Sequence, residues 1–222
     1  MFSWIKKQIE RGRPTQAAPV AGLPIASLPE IRQSFEAAAA DEEHFPSTID
    51  PRIYHVQFIA RHLGDLNGKI VLDAGCGKGR FARVLLDRNP NARIVGMDLA
   101  LAMLRHVQPP LLPCCATLTG YPFRDASFDC VYATESLEHA VDIETAVAEL
   151  CRVLKPGGKL VIIDKNIDHW GRFKTPAWER WFGQKELETM LSKHCRQVSS
   201  EFISYWEDVA PDGLFIGWRA VK

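Results

Sequence analysis

The sequence predicts an α/β fold: a doubly wound, mostly parallel seven-stranded sheet that ends in an antiparallel hairpin. Three observations predict it. From Lys69 onward, short apolar strand patterns alternate with helical ones, the order that builds a parallel sheet with helices on both faces. A glycine-rich turn, Gly75-Cys76-Gly77-Lys78-Gly79, joins the first strand of that series to its first helix. The last two strand patterns follow one another directly through Pro211-Asp212-Gly213, which reads as a hairpin.

Residues 1–29 precede the domain. Phe2, Trp4, Ile5 and Ile9 alternate with Lys6, Lys7, Arg11 and Arg13. This basic segment is either an amphipathic helix that touches a membrane surface or a partner, or a terminal turn packed loosely on the domain. Pro14, Pro19, Pro24 and Pro29 recur every five residues and mark an extended linker. Residues 30–222 form the domain proper.

Ser27 followed three residues later by Glu30 is a capping box for a helix through Ile31, Phe35 and the alanine run at 37–40. Asp50-Pro51 repeats the start signal, with Asp as cap and Pro at the first helical position. That helix carries Ile53, Val56, Ile59, Ala60 and Leu63 on one face, and Gly64 with Asn67-Gly68 ends it. Strands are predicted over 69–74, 92–97, 111–116, 128–134, 159–164, 198–206 and 214–221. Helices are predicted over 80–87, 99–106, 143–154 and 184–194. Asp142 begins the third of these, and Lys155-Pro156-Gly157-Gly158 is a turn that ends it.

Composition bounds the function. With 222 residues, the chain holds one such domain plus some extra chain. Lys+Arg 27 against Asp+Glu 27 gives no net charge, which argues against nucleic acid as a partner. The six cysteines form no C-x-x-C pair and read as reduced core thiols of a cytoplasmic protein. No apolar run approaches the ~18 residues that span a bilayer. Met1 to Arg13 lacks the apolar core of a secretion signal.

The glycine spacing narrows the ligand. A dinucleotide fingerprint needs G-x-G-x-x-G, but the third glycine, Gly79, comes one residue early and Arg80 takes its place. A phosphate-cradling loop needs Gly-Lys-Ser/Thr, whereas Lys78 precedes Gly79 and Arg80. What remains, from Asp73 on, is D-x-G-x-G-x-G. Asp98 follows roughly twenty residues after the glycines, where an acid can accept ribose hydroxyls; it is equally placed to cap the next helix. Then come Pro122-Phe123-Arg124-Asp125-Ala126-Ser127-Phe128-Asp129 and Leu154-Lys155-Pro156-Gly157-Gly158. In this order and spacing, over residues 69–165, these motifs resemble the class I S-adenosylmethionine (SAM)-dependent methyltransferases, in their small-molecule, type 11-like branch.

That resemblance implies SAM as cofactor and a small-molecule methyl acceptor with an oxygen or nitrogen nucleophile. Gly75, Cys76, Gly77 and Gly79 would pass against the methionine part of SAM. Asp73 would orient the turn or accept the donor ammonium. Asp98 would hold the ribose and Leu99 would press on the adenine. Thr117 and Leu118 stand where the family has Asp-Ala at the adenine edge; Thr117 is a weaker, uncharged acceptor. Glu135 would lie near the methionine end. Residues 30–63 would form a cap over the pocket.

Glu135-Ser136-Leu137-Glu138-His139 is similar to the E-x-x-E-H string of the ubiquinone-pathway O-methyltransferases, which is associated there with a divalent metal. On one helix the three groups would share a face. No metal is assigned. His139 is the candidate catalytic base or acceptor-orienting group, with a helix-start hydrogen bond as its other reading; Asp164 and His169 are second choices. The aromatic segment 166–182 is either a lid or, through Trp178, Trp181 and Phe182, a helical core face. Two other readings stay open: a SAM-binding protein without catalysis, and a protein or RNA methyltransferase. Thr134-Glu135-Ser136-Leu137 lacks the asparagine-proline tetrapeptide expected for methylation of nucleic-acid bases or glutamine amides.

Overall fold

A computed structural model describes residues 26–172, 174–206 and 209–222. The basic segment and most of the proline-rich linker predicted over 1–29 lie outside the described residues. Seven strands form one sheet in the order β3-β2-β1-β4-β5-β7-β6. They are β1 (Ile70–Ala74), β2 (Arg93–Asp98), β3 (Leu112–Cys115), β4 (Phe128–Thr134), β5 (Leu154–Lys165), β6 (Arg196–Ile203) and β7 (Phe215–Val221). The first five pair in parallel, and β7 runs antiparallel between β5 and β6. The doubly wound sheet and its C-terminal hairpin are as predicted.

Side chains alternate across the sheet, so neighbouring residues feed different cores. Val71, Val161 and Ile163 join Val56, Ile59 and Leu85 on one face. Leu72, Leu160 and Ile162 join Val147, Leu150 and Leu187 on the other. The helices are α1 (Leu28–Ala38), α2 (Tyr54–Leu63), α3 (Arg80–Arg88), α4 (Leu101–Leu104), α5 (Ile143–Val153) and α6 (Gln184–Ser192). Of these, α2, α3, α5 and α6 supply the two faces, while α4 packs with α1 in a small cluster of its own, Met103 with Phe35 and Ala38. Gly217 of β7 lets α2 approach the sheet: a Cβ there would stand 2.4 Å from the Phe58 ring.

Several predicted boundaries are corrected. Asp50 does not cap α2. Its carboxylate accepts from the Arg52 N–H at 2.9 Å, making a turn, and the helix begins at Tyr54. The helix expected over 99–106 shrinks to α4, because Asp98 takes the Ala100 N–H at 2.9 Å and holds Ala100 extended. Lys155-Pro156-Gly157-Gly158 is not a separate turn but an irregularity within β5, whose register against β4 shifts between Phe128 and Cys130. Strand β6 starts at Arg196 and ends at Ile203. Among the described residues no helix is long and apolar enough to cross a membrane.

Candidate functional site

A cavity of about 580 Å³ opens at the carboxyl ends of β1, β2, β4 and β5, beneath α1. This is where ligands enter doubly wound folds, at the point where strand order reverses. Gly75, Cys76, Gly77, Asp98, Leu99, Thr117, Leu118, Glu135 and His139 all line it. Gly79 and Asp73 do not.

The glycine turn is shaped by its neighbours. Gly75 has φ +80°, and a Cβ there would lie 2.3 Å from the Ser136 Cβ. Ser136 is held in place by its hydroxyl, which donates to the Ala74 carbonyl at 2.7 Å. Gly77 also has positive φ, but a Cβ there would meet no atom within 4 Å. Its backbone is therefore bare toward the cavity. Asp98 accepts from the Gly77 N–H at 2.8 Å and the Ala100 N–H at 2.9 Å, so it buttresses the turn while its carboxylate stays on the cavity wall. Burial raises its pKa, against these backbone hydrogen bonds.

Asp73 lies beneath the turn, 2% exposed, against Tyr132. Burial, with a smaller push from Asp98, moves its carboxyl up to about 7. Thr117 uses its hydroxyl locally, accepting from the Thr119 N–H at 3.1 Å and sharing a hydrogen bond with the Thr119 hydroxyl at 2.9 Å.

The cap is fastened at two points. Both Glu36 oxygens, from α1, accept the free N–H groups of α4, from Leu101 at 2.7 Å and Ala102 at 2.9 Å. Glu42, in the loop after α1, accepts from the Lys78 ammonium at 2.6 Å. That hydrogen bond, helped by the Ser47 N–H, holds the Glu42 carboxyl down at about 2. Phe35 of α1 packs edge-on against His139, with centroids 5.0 Å apart.

The opposite end of the cavity is charged. Glu135, the residue after β4, has φ +49° and does not start a helix. A short 3₁₀ turn, Leu137–His139, follows. The three groups of E-x-x-E-H therefore do not share one helix face. Glu138, His139 and Glu179 converge instead, with ligand-type atoms all within 4.8 Å. His139 Nε2 stands 3.6 Å from Glu138 and 4.0 Å from Glu179, while its Nδ1 has no hydrogen-bond partner among the described residues. Burial, reinforced by the Lys165 charge and opposed by Glu179 and Glu135, lowers its pKa to about 4, so the imidazole is neutral at pH 7. Glu135 stays ionised despite burial because Lys165, His55 and Arg80 face it, with Arg80 3.9 Å away.

A divalent metal of the kind implied by the resemblance does not fit this arrangement. Glu135 stands outside the converging set. The Lys165 ammonium already bonds both carboxylates, Glu138 closely and Glu179 at 3.1 Å.

Segment 166–182 contributes Lys174, Thr175, Pro176 and Glu179 to the cavity. Phe173 lies outside the described residues, and Trp178 is in neither core; Trp181 and Phe182 are 1% and 0% exposed and belong to the two cores. They reach the core from an irregular stretch, not from the helix one reading expected. Asp164 is fully buried against Glu138, and burial raises its carboxyl to about 7. His169 packs beside Gly213, away from the cavity wall.

Sequence reading missed Lys165, Glu179, Ser136 and the two cap fastenings. Lys165 carried a signal, a lysine at the end of the apolar run Val161-Ile162-Ile163. Glu179 carried none, since its role depends on where an irregular segment returns to the sheet.

Known proteins share this sequence family and fold. Residues 72–162 match a family model described as a methyltransferase domain. A ubiquinone biosynthesis O-methyltransferase of Idiomarina loihiensis is 35% identical over 51% of this chain and 50% of its own length. A demethylmenaquinone methyltransferase of Renibacterium salmoninarum is 33% identical over 72% of this chain and 70% of its own. The chain spans about half the length of most of the curated relatives it matches. A solved structure from Thermotoga maritima, described as a SAM-dependent methyltransferase and possible histamine N-methyltransferase, shares the fold. Its TM-score is 0.67 at 21% identity, covering 86% of this chain and 99% of that one. With the glycine turn, Asp98 and the strand order in place, the chain belongs to the class I SAM-dependent methyltransferases.

Proposed function

We propose that this chain transfers the methyl group of SAM to a small-molecule acceptor through an oxygen or nitrogen nucleophile. One observation carries the reading: the bare backbone at Gly77, the Asp98 carboxylate and the neutral His139 imidazole line a single covered cavity. The residues present fit the donor. Gly75, Cys76 and Gly77 offer backbone to its methionine part, with Gly79 starting the helix behind them. Asp98 accepts from its ribose, Leu99 and Leu118 flank its adenine, and Thr117 stands at the adenine edge. Glu135 faces its ammonium, and Asp73 supports the turn from below.

Bound SAM supplies an electrophilic methyl on a sulfonium. The chain's own residues position the acceptor and take its proton. The neutral imidazole of His139, which lines the cavity, is the acceptor for a hydroxyl proton. The imidazolium that results is favoured by the Glu179 and Glu135 charges. Phe35, Phe45, Val141 and Pro176 add an apolar wall beside this charged end, against which the acceptor can be positioned. A weak neutral base favours an acidic hydroxyl, such as a phenol or quinol, over a more basic acceptor. The name of the Idiomarina relative, an O-methyltransferase, points the same way.

The test is S-adenosylhomocysteine release from a panel of phenols, quinols and amines. Turnover of a hydroxyl acceptor that falls in a His139→Gln variant supports the reading. Donor binding without product from any acceptor points to a SAM-binding protein without catalysis.

A further inference from the structure

A buried cluster of charged side chains lies at the acceptor end of the cavity. Glu138, Asp164 and Glu179 are 1%, 0% and 3% exposed, and Lys165 is 8% exposed. The Lys165 ammonium bonds a Glu138 oxygen and, at 3.1 Å, a Glu179 oxygen. That Glu179 oxygen also accepts from the Trp181 indole at 2.7 Å, which fixes the carboxylate. The backbone fixes the rest: the Arg180 N–H donates to the Glu138 carbonyl at 2.9 Å, and the Phe182 N–H donates to the Lys165 carbonyl at 3.0 Å. Buried carboxylates are tolerated only when a cation compensates them. Here one cation serves three elements at once: the turn after β4, the end of β5 and the segment before α6.

The same carboxylates, with His139, have the spacing of a divalent-cation site. Two cations cannot share it, because like charges a few ångströms apart repel strongly in a low-dielectric interior. Burial works against the charge on Lys165, but the surrounding glutamates and aspartate outweigh it and hold the ammonium protonated. Its stem leaves the end of β5, where Lys165 pairs with Phe215 of β7.

We propose that Lys165 is the resident cation of the acceptor site, standing where a divalent metal would otherwise bind to Glu138, His139 and Glu179. Its role in methyl transfer, as the group that positions these carboxylates around His139, rests on the function proposed above. Its role as the site's cation does not. Removing its charge should convert the cluster into a metal site.

The test uses the full chain and Co²⁺ as probe, read by visible absorption and by thermal unfolding, without donor or acceptor. The unmodified chain should give no saturable Co²⁺ spectrum and the same Tm with Mg²⁺ or a chelator. Lys165→Met should give a saturable one-to-one spectrum and a Tm that rises with Co²⁺, both lost in Lys165→Met/Glu179→Gln. Saturable Co²⁺ binding by the unmodified chain, abolished by Glu179→Gln, would overturn the proposal. A folded Lys165→Met chain that ignores Co²⁺ would overturn it too. If Lys165→Met does not fold, the unmodified chain still decides, since its Co²⁺ response alone supports or refutes a resident lysine. Failure to methylate any acceptor leaves these readouts untouched, so the two readings fail separately.

Discussion

The Glu42 carboxylate accepts from the Lys78 ammonium at 2.6 Å, fastening the loop between α1 and α2 to the glycine turn below it. The lysine side chain is 1% exposed and the glutamate 48%. An ion pair exposed on one side adds little stability, up to about 1 kcal/mol. Lys78 lines the cavity, however, and Glu42 ties it to the loop after α1. Lys78→Met should raise the KM for SAM several-fold and speed donor release, with kcat nearly unchanged. Stopped-flow fluorescence of donor release checks this; an unchanged release rate would show that the pair is not a latch. The folded pKa of Glu42, about 2, lies below its ordinary 4.5. Its contribution is therefore complete above pH 4.5 and lost only as pH falls toward 2.

Gly75 and Gly77 should respond differently to the same change. Gly75→Ala drives a Cβ into Ser136 at 2.3 Å and places alanine at φ +80°. It should cost about 1–3 kcal/mol of stability and abolish donor binding. Gly77→Ala meets no protein atom, so its cost is the backbone strain alone, about 1–2 kcal/mol. It should fold, yet bind donor at least tenfold more weakly because the methyl enters the cavity. Urea unfolding and calorimetry separate the two effects. Equal donor affinity in Gly77→Ala and the unmodified chain would move the donor away from this turn.

Asp73 predicts a pH dependence of stability. Its folded pKa, raised by burial to about 7, exceeds its ordinary 3.8. The stability linked to this group is fully present below pH 3.8 and is lost as pH rises through 7. Asp73→Asn cannot ionise, so it should gain stability relative to the unmodified chain between pH 5 and pH 8. Parallel Tm profiles for the two chains would contradict the buried placement of this carboxyl.

His139 predicts a pH dependence of rate. A base with a pKa near 4 is deprotonated throughout the neutral range, so kcat/KM should fall on the acid side only near pH 4. His139→Gln should lower kcat by about 100-fold or more while leaving the donor Kd unchanged. The loss should shrink for acceptors of lower hydroxyl pKa, which need less help. A uniform loss across acceptors would make His139 a packing residue against Phe35.

What was legible in the sequence was local. The glycine turn, Asp98 and the hairpin at Pro211-Asp212-Gly213 each depend on residues close together in the chain. E-x-x-E-H misled because spacing implies a shared face only on a continuous helix, and the backbone at Glu135 leaves helical geometry. Asp50 misled because an Asx-type turn and a helix cap use the same residues. The fastenings of Glu36 and Glu42, and the convergence of Lys165 with Glu138 and Glu179, join segments dozens of residues apart. No periodicity encodes such pairs; they follow from where the cap and the segment before α6 come to rest on the sheet.

The most direct test is isothermal calorimetry of the unmodified chain with SAM, repeated with Asp98→Ala. One site per chain, with affinity lost in the folded variant, is the predicted result. Absence of binding by the unmodified chain, or equal binding by both chains, would contradict the placement of the donor against Gly77 and Asp98.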